Sequence, residues 1–121
     1  WSTKEAGGRE SIGISAGGKT LYVKSVKDNV VAIDTEADIY KPLWVTNCGF
    51  GAEYGPTRVT STDKCVFAAT ATGKVYCLDK KTGDVLWHHR FSSSLITSAN
   101  PVGEHELIVT TMGGKIFLLE Y

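Results

Sequence analysis

Short apolar runs, each closed by an acidic residue, recur along the chain: 30–33 before Asp34, 75–78 before Asp79 and 116–119 before Glu120. A turn of glycine or polar residues precedes each run, namely Lys27-Asp28-Asn29, Thr72-Gly73-Lys74 and Gly113-Gly114-Lys115. Before each turn lies another run rich in Val, Thr, Tyr or Ile, at 20–26, 65–70 and 106–111. Runs of this length and composition, bounded by Gly, Asn and Asp, are strand signals, and tight turns between them make antiparallel hairpins. No ten-residue window shows helical spacing of apolar positions. The pattern predicts strands at 10–15, 21–26, 30–34 and 43–46, then 57–61, 65–70, 74–79 and 84–90, then 96–102, 107–111 and 115–120.

The same pattern has a long period, because Trp1, Trp44 and Trp87 are each 43 residues apart. Four strands per repeat at a period of about 40 to 50 residues is the signature of propeller blades. The expected fold is all-β, a β-propeller segment of four-stranded antiparallel blades. Blades stack face to face, so both faces of a strand are buried, which accounts for near-continuous apolar runs where a half-exposed sheet would alternate. The repeat divides the chain into an outer strand of a preceding blade at 1–8, a blade at 9–51, a second at 52–93 and an incomplete blade at 94–121. A β-sandwich is the alternative, and it leaves the tryptophan period unexplained.

Within the second repeat, the run from Cys77 to Trp87 reads Cys-Leu-Asp-Lys-Lys-Thr-Gly-Asp-Val-Leu-Trp. Asp79 can accept hydrogen bonds from the N–H groups of the following turn, and Gly83 can take the positive φ that closes it. Trp87 then returns on the outer strand, where an indole burying on the order of 200 Å² and donating one hydrogen bond suits a joint between sheets. This run resembles the tryptophan-docking motif of pyrroloquinoline-quinone-type, or quinoprotein-like, β-propeller repeats, and about three such blades fit the chain. The first blade keeps Ala32, Asp34 and Trp44 but has two extra residues in 35–41 and Ala37-Asp38 where Thr-Gly is expected. The third keeps Glu120 in place of Asp. The resemblance marks Trp1, Trp44, Trp87, Asp34, Asp79, Thr82 and Gly83 as blade-docking residues.

Composition narrows the chemistry. With 121 residues the chain is long enough to bury a core without disulfides or metals. Thirteen basic residues balance thirteen acidic ones without a basic cluster, so neither nucleic acid nor an anionic membrane surface is an expected partner. No run approaches the roughly 18 apolar residues of a membrane helix, and no basic-then-apolar leader is visible. The chain starts at Trp1 and has Met112 as its single Met, as in a processed product or a piece of something longer. Cys48, Cys65 and Cys77 lack zinc spacing. A hairpin turning at Thr72 and Gly73 would pair Cys77 with Ala68, putting Cys65 on the opposite face and excluding a bridge. His88 and His89 are adjacent on a predicted strand, point to opposite faces and do not suit one metal. His105 reads as a hairpin tip. Gly17-Gly18-Lys19 and Gly113-Gly114-Lys115 read as turns, since neither has phosphate-loop spacing.

Enzymes of the resembled family hold the quinone with calcium in a central funnel, often beside a disulfide of adjacent cysteines, within eight blades. This chain has no adjacent Cys pair, so no cofactor and no metal is expected, and by itself it is not expected to be an enzyme. The resemblance implies a noncatalytic scaffold or a protein- or ligand-binding module, part of a larger propeller or multidomain protein, periplasmic or extracellular. The alternative is a fragment of a quinone-dependent dehydrogenase, or the propeller half of a hydrolase such as a metallophosphoesterase. The expected partner is another propeller segment, either a second copy or the rest of a parent chain, and a protein or small molecule is the expected ligand at the loop face. Strand direction alternates within a blade, so inter-blade loops and middle hairpin turns share one end. There the glycine-rich stretch 46–54 supplies Asn47, Phe50, Glu53 and Tyr54, and the hairpin turn supplies Lys27 and Asp28, as candidate ligand-binding residues.

Overall fold

The hairpins are set by a repeated turn. In each, three residues follow a Ser or Thr, and the third takes a positive φ: Asp28 at 66°, Gly73 at 87° and Gly114 at 84°. Closure comes from Ser25 N to Asn29 O at 2.7 Å, Thr70 N to Lys74 O at 2.9 Å and Thr111 N to Lys115 O at 3.0 Å. The Thr70 hydroxyl also accepts the Lys74 N–H at 3.0 Å, and Thr111 accepts that of Lys115 at 3.3 Å. These are three-residue loops ending in a left-handed residue, a common hairpin connection.

The structure is a computed structural model that describes residues 12–15, 18–25, 28–49 and 58–121. Among them, strands β1 (Ile12–Ile14), β2 (Thr20–Lys24), β3 (Asn29–Asp34) and β4 (Pro42–Asn47) form one antiparallel sheet in sequence order. Strands β5 (Thr60–Ser61), β6 (Cys65–Ala69), β7 (Lys74–Asp79) and β8 (Val85–Arg90) form a second. Strands β9 (Ile96–Val102), β10 (Glu106–Thr111) and β11 (Ile116–Glu120) form a third. These are successive blades of an all-β propeller, with the inner strands β1, β5 and β9 brought together.

The three-residue loop corrects one expected register. Cys77 pairs with Phe67 and not with Ala68, while Cys65 pairs with Asp79. Cys65 and Cys77 therefore share a face as diagonal neighbours, although both remain free thiols. The slip by one residue reverses faces because side chains alternate along a strand.

Packing follows the alternation. Tyr22, Val30, Ala32 and Trp44 of the first sheet meet Val66, Ala68, Tyr76 and Leu78 of the second. The opposite face of the second sheet, with Phe67, Val75 and Cys77, meets Ile96, Ala99, Leu107 and Val109 of the third. Enclosed on both sides, β6 is buried throughout and β7 along its centre. In the third sheet β10 and β11 alternate instead, with one face covered and the other open. No helix among the described residues is long and apolar enough to cross a membrane.

Candidate functional site

The seam between the first and second blades is built around the turn after β7. Asp79 Oδ1 accepts the N–H groups of Lys81 at 2.8 Å and Thr82 at 3.1 Å. These bonds, that from Lys81 foremost, hold the Asp79 carboxyl below its ordinary pKa. Gly83 N donates to Asp79 O at 2.8 Å, and the Thr82 hydroxyl accepts from Asp84 N at 3.2 Å. Gly83 closes the turn at φ 79°, and a Cβ there would lie 2.6 Å from Trp44 Cδ2, Trp44 Cε3 and Thr46 Oγ1. The indole of the first blade thus rests directly on the glycine of the next. Its Nε1 donates to Lys80 O at 2.9 Å, and the Thr46 hydroxyl donates to Gly83 O. Deeper in the seam the Lys24 Nζ, on a side chain only 3% exposed, donates to Ala69 O at 2.6 Å. At the inner end Gly13 lets β1 approach the second blade, where a Cβ would lie 2.0 Å from Val59 O.

Each complete blade carries one cross-strand row of aromatic, small residue and tryptophan. Tyr22, Ala32 and Trp44 are in register, as are Phe67, Cys77 and Trp87. Over the small residue the rings approach to 5.9 Å and 6.1 Å between centroids. Trp87 is half-buried and faces the third blade, where the Tyr121 ring lies at 5.6 Å. Tyr121 N bonds His105 O as Lys80 N bonds Lys64 O one blade earlier. In the first blade Asp34 Oδ1 accepts from Glu36 N at 2.9 Å, the counterpart of the Asp79 turn. Trp1 lies outside the described residues.

At the loop end, Asn47 and Asp28 come together. Asn47 Nδ2 donates to Asn29 Oδ1 at 3.1 Å, and Asp28 O accepts from Cys48 N at 2.8 Å, tying the outer strand to the hairpin turn. Lys27, Phe50, Glu53 and Tyr54 lie outside the described residues. Inter-blade loops and hairpin turns share this end, since Phe91 N bonds Gly73 O and Met112 N bonds Leu95 O, both at 2.8 Å. The thiol of Cys48 is pushed up to about 11 by burial, against the lowering effect of Lys24. Cys77 is also pushed up, first by burial and then by its neighbour Cys65. Both are held as neutral thiols. His88 and His89 point to opposite faces, against Tyr76 and Phe91 respectively. Among the described residues no His, Cys, Asp or Glu cluster is arranged to hold a metal.

Several of these residues were not singled out from sequence. Lys24 carried a signal, a charge on the strand face that Tyr22 also occupies. Gly13 and Thr46 carried none beyond residue type. Nor did a groove of about 830 Å³ along the inner strands, lined by Gly13, Arg58, Thr60, Ser61, Thr97 and Asn100 among others.

The docking turn, the aromatic rows and the stacked four-stranded sheets are repeat features, and comparison with known proteins assigns the repeat. The family described as outer membrane protein assembly factor BamB matches residues 40–120. The chain belongs to this family. Among solved structures, BamB from Moraxella catarrhalis superposes with a TM-score of 0.74 at 16% identity, covering 90% of this chain and 32% of that one. The computationally designed Ika4 protein gives 0.72 at 14% identity over 90% of this chain and 63% of its own. A europium-containing methanol dehydrogenase gives 0.72 at 19% identity over 99% and 24%. At these identities the likeness establishes the propeller fold. A search of curated proteins finds no match. The chain spans 32% of the BamB structure it resembles.

Proposed function

We propose that this BamB-family segment is a noncatalytic propeller scaffold, in the bacterial envelope, that docks a further propeller segment against its third blade. The observation that carries the reading is the open face of the third sheet, where Ile116 is 75% exposed and Leu118 61%, beside Val102 and Ile108. In the first and second blades the corresponding face is covered by the next sheet. Contiguous apolar surface of this kind marks an interaction site. The family description, an outer membrane assembly factor, supports both the scaffold role and the location. The noncatalytic reading is supported by how the reactive side chains are used. Asp79, Thr82, Thr70 and Thr111 bond turn amides, and burial keeps Cys48 and Cys77 protonated.

Sedimentation velocity on the wild-type chain and on the double variant Ile116→Lys, Leu118→Lys tests the docking face. Without its partner the wild type is expected to self-associate through this face, and the variant to sediment as a monomer. A wild-type chain that stays a folded monomer, or a variant that associates equally, contradicts the reading.

A further inference from the structure

The seam between the second and third blades buries two thiols on one face of one hairpin. Cys65 opposes Asp79 and Cys77 opposes Phe67, so the two cysteines are diagonal neighbours across β6 and β7. Cys77 is fully buried and Cys65 is 9% exposed, both within the apolar cluster that joins these blades. Their side chains are within hydrogen-bond reach of each other. The span decides what can join them. Diagonal neighbours lie about 7–8 Å apart between Cα atoms, beyond the roughly 7 Å at which a disulfide needs backbone movement. A metal ion held in line between two sulfurs, at about 2.3 Å per bond, adds about 4.6 Å between them and suits the wider pair.

A third group meets the same pair. The Tyr121 hydroxyl is buried and has no hydrogen-bond partner among the described residues. A buried polar atom left this way weakens a fold and marks a place where an ion or ligand completes the bonding. The Tyr121 ring packs on Phe67 at 5.5 Å and Trp87 at 5.6 Å, against the cluster that holds both cysteines. Burial, then Cys65 and Cys77, hold its hydroxyl above the ordinary tyrosine pKa, so it keeps a proton that it can donate to a sulfur. Cys65 and Tyr121 also line a cavity of about 270 Å³, which gives a small ion a way to the thiols without parting the blades.

The donor set selects the ion. Structural zinc takes four ligands, and no group of three or more His, Cys, Asp or Glu is gathered among the described residues. Calcium and magnesium take oxygen ligands, whereas thiolates select soft ions such as Cu(I). We propose that Cys65 and Cys77 bind one soft monovalent cation of the Cu(I) class in line between their sulfurs, with the Tyr121 hydroxyl donating to one of them. Each thiol releases its proton to solvent as its sulfur–metal bond forms, and the metal keeps its oxidation state. The complex carries one negative charge, which the Tyr121 hydrogen bond stabilises in the apolar seam. Burial keeps Cys77 protonated only until a metal competes for its sulfur. The site lies between two blades of this chain and is independent of docking at the third sheet.

The test titrates Cu(I), kept reduced under nitrogen, into the full chain in competition with a colorimetric Cu(I) chelator, with circular dichroism to confirm that each variant is folded. The wild type is expected to withdraw one equivalent per chain and to show a thiolate-to-copper charge-transfer band in the ultraviolet. Cys77→Ala gives the second blade the residue that the first has at Ala32, so it should fold and take up none. Tyr121→Phe should bind about tenfold or more weakly, the usual effect of losing a hydrogen bond to a metal ligand. Cys48→Ala removes the free thiol of the other seam and should leave uptake unchanged. Zn(II) should not be retained. A folded wild type that takes up no Cu(I), uptake that survives Cys77→Ala, or uptake that Cys48→Ala abolishes overturns the proposal. Zn(II) held as firmly as Cu(I) overturns the two-sulfur geometry, and full affinity in Tyr121→Phe overturns the part given to the hydroxyl.

Discussion

Replacing Gly83 with alanine adds one methyl group to the joint between the first two blades, and the structure lets its cost be divided. The backbone at φ 79° is left-handed, which costs an L-residue with a Cβ roughly 1–2 kcal/mol. The new Cβ would also lie 2.6 Å from two ring atoms of Trp44 and from Thr46 Oγ1, so the indole must move, at about 1–3 kcal/mol for overpacking. Gly114 provides the control: it has φ 84° in the equivalent class of turn position, yet nothing lies within 4 Å of a Cβ built there. Gly114→Ala should therefore cost only the backbone part. Gly83→Ala should cost about 1–3 kcal/mol more, because the unfolded-chain effect of Gly→Ala is common to both. Urea melts followed by circular dichroism at one fixed protein concentration give both values. Equal losses for the two variants would refute the claim that Trp44 is seated on the Gly83 turn.

Three further outcomes are expected. Gly13→Ala should lower the urea midpoint by an amount equivalent to about 1–3 kcal/mol or more, since the Cβ would lie 2.0 Å from the Val59 carbonyl oxygen; an unchanged midpoint would mean that β1 does not approach the second blade. Lys24→Met should cost about 1–3 kcal/mol in the same assay by leaving the buried Ala69 carbonyl without its donor at 2.6 Å, and a loss below about 0.5 kcal/mol would show that the bond contributes nothing. Burial raises Cys48 from 9.0 to about 11, so the folded chain keeps a proton that the unfolded chain gives up, and stability present below pH 9.0 should fall as pH rises through about 11. Tyr22, Tyr76 and Cys77 are shifted in the same direction, so Cys48→Ala should remove only part of the decline; stability that holds or rises over this range would contradict burial of the thiol.

The strands were legible because each apolar run ends at a residue that cannot continue it. The readings 74–79 and 96–102 coincide with β7 and β9, whereas the described residues 15, 58 and 59, read as strand, lie outside β1 and β5. The register of the β6–β7 hairpin was not legible, because Thr70 through Lys74 can close around two or three residues. Gly73 at φ 87° selects three, and this moves Cys65 to the face of Cys77. The turn bonds of Asp79 and the conformation of Gly83 follow from their spacing in the chain. That Trp44 leaves no room for a Cβ at Gly83 depends on contact between blades and has no local signal. The same holds for the open face of the third sheet. The run 116–119 looks like 75–78, yet β7 is enclosed by two sheets and β11 by one.

Amide hydrogen exchange read by mass spectrometry across a dilution series, comparing β11 (Ile116–Glu120) with β7 (Lys74–Asp79), tests most directly the claim that this propeller segment docks through its third blade. The β7 amides should be protected at every concentration, because both edges of that strand are paired within the chain. Those of β11 should gain protection as the chain associates and lose it on dilution. Association that leaves β11 exchange unchanged, or full protection of β11 in a dilute monomer, would contradict the account.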